Sequence, residues 1–271
     1  MTELDTDAVL RLLQEVAAEV IDPRFRSLAE GEVHEKNPGD LVTVADHEAE
    51  VLITRALLAA YPEAVVLGEE AYAQDASLVT RFAAAGAAGA GGHAFTVDPV
   101  DGTKNFVHGS PDHAVMVAEV RDGAVTRSWI WQPQHQDAYV AEHGAGAFRN
   151  GERLATTPPV GAPATWRVTT SRRRWLGQGI PGLRPFELTW VCCGVDYPHL
   201  VAGDADALLY GHAHPWDHSP GSLLLTEAGG HVGRLDGRPF DPTEQGPALV
   251  AAADRATYDE LVARAAEHPL G

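Results

Sequence analysis

Hydrophobic residues recur along this chain with two different periods, which predict a mixture of helices and strands. Apolar residues follow helical spacing over residues 6–20 and again after Thr43, as is typical of helices with one buried face. Thr43 and Asp46 form a capping pattern, so a helix is predicted to begin there and to end near Ala60, before Pro62. We expect the inward face of this helix to carry four apolar residues, Val51, Leu52, Leu57 and Leu58.

Alternation of apolar and polar residues predicts strands in several segments. Residues 113–120 and 124–131 alternate well, and Asp122-Gly123 between them is a strong hairpin signal. Further strands are predicted at residues 64–67, 94–97, 137–142, 146–149, 165–170 and 207–210. These segments indicate antiparallel meanders.

Helices interrupt the strands, and the mixture indicates a layered α/β or α+β sandwich. Helices are predicted at residues 195–202 and from about Asp217, and residues 248–266 form a predicted strand–helix pair. Residues 83–92 are only Ala and Gly, and we expect a flexible loop there. The proline-containing segment 158–163 is a predicted boundary between subdomains of about residues 1–157 and 164–271.

Composition narrows the class of protein. The chain has 271 residues, of which 45% are hydrophobic, enough for a sizeable core. No apolar run approaches the roughly 18 residues of a membrane helix, and the acidic N-terminus does not resemble a signal sequence, so we expect no membrane partner. The only cysteines, Cys192 and Cys193, are vicinal and unsuited to a structural disulfide, which favours a cytoplasmic location.

The net charge of −18 limits the kinds of ligand that the chain is expected to bind. It argues against nonspecific binding of nucleic acid, which depends on neutralising phosphates. An anionic substrate would be repelled by an acidic cleft unless metal cations were bound there first.

Residues 98–106, Asp-Pro-Val-Asp-Gly-Thr-Lys-Asn-Phe, carry the strongest chemical signal. The stiff Asp98-Pro-Val-Asp101 segment can direct two carboxylates and the Val100 carbonyl into one space, and hard divalent cations prefer such oxygen ligands. Gly102 permits a close backbone approach, and Thr103 adds a hydroxyl and an N–H at a turn that can bind an anion. An ordinary Asp-rich turn is the alternative. The full nonapeptide after an apolar strand favours a metal site next to a phosphate cradle.

Further motifs accompany this one in order along the chain. Residues 65–70 form an apolar strand ending in Glu69-Glu70, and residues 216–221 read Trp-Asp-His-Ser-Pro-Gly. Lys36-Asn-Pro-Gly-Asp-Leu-Val-Thr43 with Asp46 lies upstream, and residues 237–241, Gly-Arg-Pro-Phe-Asp, lie downstream. Together the motifs resemble the inositol monophosphatase family of metal-dependent, lithium-sensitive phosphomonoesterases. The resemblance implies one domain over residues 1–271, with alternating layers of helices and sheets.

The resemblance also implies roles for individual residues. The implied metal ligands are Glu69, Asp98, the Val100 carbonyl, Asp101 and Asp217. Crowded carboxylates repel one another, which argues for two or more Mg²⁺ ions. The resemblance implies two or three ions, with Mn²⁺ as a substitute and Li⁺ as an inhibitor. Catalytic roles fall to Asp46 and Thr103, which would position the attacking water, and to Glu69 and Glu70, where Glu70 would orient ligands or water. Phosphate and substrate contacts are expected from Lys36, Asp101, Gly102, Thr103 and Asp217.

The sequence predicts the substrate less clearly than it predicts the metal ligands. Inositol-selective members of the family carry a glutamate seven residues before the late metal aspartate, and this chain has Tyr210 there. Gly194 and Asp196 are expected near the substrate, where Asp196 could take over hydroxyl recognition. Arg172, Arg173 and Arg174 form either a solvated loop or a grip for a second phosphate, and the solvated loop is favoured.

The expected function is Mg²⁺-dependent hydrolysis of a small polyol phosphate, with inositol 1-phosphate first. Histidinol phosphate and 3′(2′),5′-bisphosphate nucleotides are the alternative substrates, and a non-enzymatic regulatory protein is the alternative class. The expected partner is a small phosphorylated metabolite, and the expected assembly is a homodimer.

Overall fold

The structure, a computed structural model, describes residues 4–37 and 40–270. Pro38 and Gly39 of the motif that begins at Lys36 lie outside the described residues. In the described part the α-helices are α1 (Thr6–Val16), α2 (Val44–Ala60), α3 (Glu69–Gln74), α4 (Leu78–Gly86), α5 (Thr103–Val107), α6 (Cys193–Ala202), α7 (Pro215–Glu227) and α8 (Arg255–Glu267). None of these helices is long and apolar enough to cross a membrane.

The strands of the described residues form three sheets. The strands are β1 (Val33–Asn37), β2 (Asp40–Thr43), β3 (Val65–Gly68), β4 (Ala94–Asp101), β5 (Ala114–Arg121), β6 (Ala124–Gln132), β7 (Asp137–Glu142), β8 (Gly146–Arg149), β9 (Glu152–Arg153), β10 (Val168–Thr170), β11 (Glu187–Leu188), β12 (Ala207–Ala213), β13 (His231–Arg234) and β14 (Gly246–Ala252). Strands β3 to β9 form a seven-stranded sheet in sequence order, and a five-stranded sheet has the order β11-β10-β12-β14-β13. The β1–β2 pair forms a small third sheet.

The two larger sheets alternate with helices, as a layered sandwich requires. Helices α1 and α2 pack on one face of the seven-stranded sheet, where Val117 of β5 joins their core. Met116 of the same strand points to the opposite face and packs with α6, α7 and the inner face of the five-stranded sheet. The outer face of the five-stranded sheet packs on α8. This arrangement confirms the predicted fold class, and it rests on the period of two that sends neighbouring strand residues to opposite faces.

The predicted hairpin at Asp122-Gly123 is confirmed. Both residues have positive φ, 51° and 79°, and they join antiparallel β5 and β6. Two consecutive positive φ values belong to the tight turn that matches the twist of the strands it connects.

The inward face predicted for α2 was partly wrong. Leu57 is buried, but Val51 and Leu58 are 63% and 37% exposed. The buried line is Ala45, Ala49, Ile53 and Leu57, four residues apart, so small alanines rather than the larger Val51 and Leu58 contact the sheet. The predicted cap is confirmed, because Thr43 and Asp46 form a reciprocal capping box.

The loop predicted over residues 83–92 was wrong in its first half. Helix α4 continues to Gly86, with Leu78 and Phe82 buried beneath it. Alanine is the best helix former, so three alanines extend a helix that is already anchored on the core. The strand predicted at residues 165–170 is shorter, because Pro163–Thr165 forms a 3₁₀ turn before Val168.

Candidate active site

The two aspartates of the central motif lie on β4, a strand that is buried along its whole length. The pairing of β4 with β5 shifts register between Asp98 and Asp101, so this end of the strand is irregular. Gly102 follows with φ 79° and begins α5. A Cβ atom on Gly102 would lie 3.0 Å from the Asp112 carbonyl oxygen and from the Cys192 Cβ, which explains why glycine is needed here.

Asp101 is held by the N-terminal end of α6. Its Oδ2 atom accepts a hydrogen bond from the backbone N–H of Gly194 and one from the Cys192 thiol at 3.0 Å. Burial raises the pKa of Asp101, and these donors, together with the N–H of Gly102, oppose the rise. Gly194 and the Gly102 N–H therefore act on Asp101 in this structure, and the direct substrate contacts predicted for them gain no support from its geometry.

Glu69 and Glu70 begin α3 directly after β3 and lie beside Lys36. The Lys36 Nζ donates to Glu69 Oε1 at 2.7 Å and to Glu70 Oε1 at 2.9 Å. Burial disfavours the charge of Lys36, but the two carboxylates outweigh burial and raise its pKa. Lys36 therefore balances negative charge at this edge of the cleft.

Glu50 of α2 was not identified from the sequence. Its carboxylate accepts the backbone N–H groups of Glu70 and Ala71 at 2.7 and 2.8 Å, so it caps the helix that carries Glu69. A Cβ on Gly68 would lie 2.2 Å from the Glu50 Cδ, so the two positions depend on each other. The available signal was its spacing: Glu50 stands four residues after Asp46 on the buried side of α2.

Asp46 has two roles at once. Its Oδ2 accepts the Thr43 N–H at 2.8 Å as part of the helix cap, while its Oδ1 lies 3.0 Å from the Thr103 hydroxyl. The same hydroxyl lies 2.9 Å from the Val100 carbonyl oxygen, and its single proton serves one of these acceptors at a time. Burial raises the pKa of Asp46 to about 6, against the hydrogen bonds from Thr43.

Asp98 is the side chain in the cleft that most clearly requires a bound cation. It is 1% exposed, and its Oδ1 atom is buried without a hydrogen-bond partner among the described residues. Burial raises its pKa well above the usual range, and the charges of Glu69, Asp101 and Asp217 raise it further. A buried acceptor among like charges is costly unless a cation neutralises it.

The donor set fits a hard divalent cation, because carboxylate and carbonyl oxygens are the ligands that Mg²⁺ prefers. In the part of the chain that the structure describes, no three His, Cys, Asp or Glu side chains already surround a common point. Lys36 and the α6 N–H groups instead hold individual oxygens of Glu69 and Asp101. The residues suit Mg²⁺ because their ligand atoms are oxygens in a buried cleft. Among the described residues these oxygens do not already surround one common point.

A cavity of about 760 Å³ opens beside these acids. It is lined by Lys36, Glu69, Tyr72, Ala73, His214, Trp216 and Asp217. Asp217 lies in the first turn of α7, and the preceding Trp216 is buried. Three predicted site residues from distant parts of the sequence thus meet in one cavity.

Tyr210 and Asp196 form a buried pair. The Tyr210 hydroxyl donates to Asp196 Oδ2 at 3.0 Å, and Asp196 Oδ1 accepts the Trp190 N–H at 2.7 Å. Burial raises the pKa of Asp196 to about 8. Because both side chains are buried and already hydrogen bonded, this geometry gives no support to the substrate contacts predicted for them.

The three consecutive arginines, residues 172–174, lie in two different environments. Arg172 is half-buried, with its guanidinium 5.3 Å from the Trp175 ring centre and a contact to the Gly211 carbonyl at 3.4 Å. Arg173 and Arg174 are exposed. This is the arrangement expected of a solvated loop anchored by one arginine.

Comparisons with known proteins agree with the resemblance found in the sequence motifs. The sequence matches the inositol monophosphatase family over residues 4–270. An inositol-1-monophosphatase of Mesorhizobium japonicum is 34% identical over 213 residues, 74% of this chain and 75% of the relative. The Nus factor SuhB of Pseudomonas aeruginosa is 30% identical over 232 residues, 82% of each chain. The solved structure of a Thermotoga maritima IMPase superposes with a TM-score of 0.77 at 25% identity, covering 96% of each chain.

These comparisons define the class of protein, a phosphoric monoester hydrolase of a metal-dependent type, and the layered fold agrees with it. The chain belongs to the inositol monophosphatase family, because the match covers nearly its whole length.

Proposed function

We propose that this chain hydrolyses the phosphate monoester of a small alcohol with two or three Mg²⁺ ions in the acidic cleft. The observation that carries the proposal is Asp98, a fully buried carboxylate with an unpartnered oxygen beside three other acids. Glu69, Asp98, Asp101, Asp217 and the Val100 carbonyl would hold the ions. When bound, Mg²⁺ supplies positive charge that acidifies water and neutralises the phosphate.

The protein's own groups supply orientation. When the Thr103 hydroxyl donates to Asp46, its lone pairs are left to accept a hydrogen bond from the attacking water, so the pair can orient that water. Lys36 offers positive charge to the phosphate. Gly102 turns the chain so that the Thr103 N–H begins α5, beside the expected phosphate position.

Inositol 1-phosphate is the first substrate to test, because the Mesorhizobium japonicum relative is named for it. Inhibition by Li⁺, activity with Mn²⁺, a homodimer and a cytoplasmic location remain predictions from the sequence.

The test is release of inorganic phosphate from inositol 1-phosphate, histidinol phosphate, fructose 1,6-bisphosphate and adenosine 3′,5′-bisphosphate, with Mg²⁺ and with EDTA. We expect Mg²⁺-dependent release from at least one of them. If Mg²⁺ produces no release from any, the enzymatic proposal fails and a regulatory role is favoured.

A further inference from the structure

Three aromatic rings line one side of the cavity that holds Lys36, Glu69 and Asp217. We call Tyr72, His214 and Trp216 the aromatic wall. The rings of His214 and Trp216 are stacked, with centres 4.7 Å apart and planes at 8°. The Tyr72 ring packs against Trp216 with the centres 5.1 Å apart. The wall is therefore a continuous packed surface rather than isolated side chains.

Gln245 fixes polar atoms of the wall. The Tyr72 hydroxyl donates to Gln245 Oε1 at 3.2 Å, and Gln245 Nε2 lies 3.3 Å from His214 Nδ1. The side-chain amide of Gln245 thus contacts both the Tyr72 hydroxyl and a ring nitrogen of His214. The tether holds the rings in place. Trp216 is 4% exposed and supports the wall from behind, so the half-buried Tyr72 and His214 are the rings that a ligand in the cavity can reach.

Several polar groups of the same cavity already bond to other protein groups: Lys36 bonds Glu69, and the Tyr72 hydroxyl bonds Gln245. Its acids, Glu69 and Asp217, belong to the proposed metal cluster. Tyr210 and Asp196, which the sequence suggested for hydroxyl recognition, are buried and bonded to each other. A polyol would therefore compete with these contacts for its hydrogen bonds, whereas the face of a planar ring needs none of them.

We propose that the aromatic wall selects phosphate monoesters whose alcohol carries a planar aromatic ring, and that Tyr72 is the residue that determines this specificity. The inference rests on the proposed phosphatase function. A volume of about 760 Å³ accommodates a nucleoside monophosphate, and aromatic pairs gain attraction beyond the area they bury. The phosphate of such a substrate lies at the acids and its ring lies against the wall.

The reaction is the same hydrolysis of a phosphate monoester as in the proposed function. The water oxygen bonds to phosphorus, the bond between phosphorus and the alcohol oxygen breaks, and the alcohol oxygen takes up a proton. The wall acts on binding of the leaving alcohol, so its effect is expected chiefly in KM.

The experiment compares two aromatic substrates, adenosine 2′-monophosphate and histidinol phosphate, with two non-aromatic ones, inositol 1-phosphate and glycerol 2-phosphate. The full chain with saturating Mg²⁺ is assayed as wild type, Tyr72→Leu and Tyr72→Phe. The ratio of kcat/KM between aromatic and non-aromatic substrates should fall about five- to tenfold in Tyr72→Leu. The Phe variant keeps the ring and should keep the ratio. Of the two aromatic substrates, the one with the higher kcat/KM in wild type identifies whether a nucleobase or an imidazole is the ring.

Each variant is first checked for an Mg²⁺-dependent rise in melting temperature, which shows that the fold and the acidic cleft are intact. An equal response of all four substrates to Tyr72→Leu would overturn the inference while leaving the phosphatase function standing. So would a wild-type preference for inositol 1-phosphate over both aromatic substrates. Absence of phosphate release from all four would overturn the proposed function, and the inference with it.

Discussion

At the scale of single residues, Asp98 depends most on a bound cation. Its unpartnered buried oxygen and the surrounding acids disfavour its negative charge when no metal is present. We therefore expect Asp98→Asn to keep or raise the melting temperature measured in EDTA, because a neutral amide removes charge repulsion. Glu63→Gln, which neutralises an exposed acid far along the chain from the motif, is the control and should leave stability nearly unchanged. A clear fall in the melting temperature of Asp98→Asn in EDTA would contradict this account of the cleft.

Glu50 acts on the site through the backbone of α3. Glu50→Ala leaves the N–H groups of Glu70 and Ala71 without their acceptor, which should cost about 1–3 kcal/mol in the free energy of unfolding. Because Glu69 then loses its fixed position, kcat/KM should fall as well. Glu48→Ala removes a half-exposed acid from the same helix together with its surface ion pair to Arg24, a loss of at most about 1 kcal/mol, and is the matched control. Denaturant unfolding and phosphate release measure the two effects, and equal behaviour of the two variants would refute the positioning role.

At the scale of elements, the segment before α6 carries backbone strain. Val191 has φ 61°, a left-handed conformation that is unfavourable for a β-branched residue, and it immediately precedes the Cys192–Gly194 backbone that binds Asp101. Val191→Asn should stabilise the protein by about 1 kcal/mol, because Asn tolerates this conformation. The corresponding rise in melting temperature is about 2–4 °C. Val160→Asn, at an exposed valine with ordinary φ, should bring no such gain, and a gain of equal size there would remove strain as the explanation.

The elements that sequence predicted well are those with a local physical cause. The Thr43/Asp46 cap and the Asp122-Gly123 turn are determined by neighbouring residues, so their patterns sufficed. The inward face of α2 and the extent of α4 were missed because packing of distant elements decides them: small alanines face the sheet, and Leu78 and Phe82 anchor the Ala-rich segment.

The same distinction holds for the site. The acids of the central motif are local in sequence and were predicted, and Lys36 and Asp217 entered through a resemblance. Glu50 and the Tyr210–Asp196 bond were missed because they depend on contacts between α2 and α3 and between β12 and α6. No local pattern reports such contacts.

At the scale of the whole molecule, metal binding should stabilise the folded chain by mass action. The folded cleft gathers the acids and the unfolded chain does not, so the gain is about 2.7 kcal/mol at a hundred times the dissociation constant. Melting curves measured against increasing Mg²⁺ would check this. A melting temperature indifferent to millimolar Mg²⁺ would count against the cleft as a metal site.

The most direct test of the central claim is phosphate release by the purified chain as Mg²⁺ is titrated from EDTA to millimolar concentration, in wild type and in Asp98→Asn. The account predicts no release in EDTA, saturable release with Mg²⁺ in wild type, and at least a thousandfold lower kcat/KM in Asp98→Asn, a loss of about 4 kcal/mol of transition-state stabilisation. Release that needs no Mg²⁺, or activity of Asp98→Asn within tenfold of wild type, would contradict it.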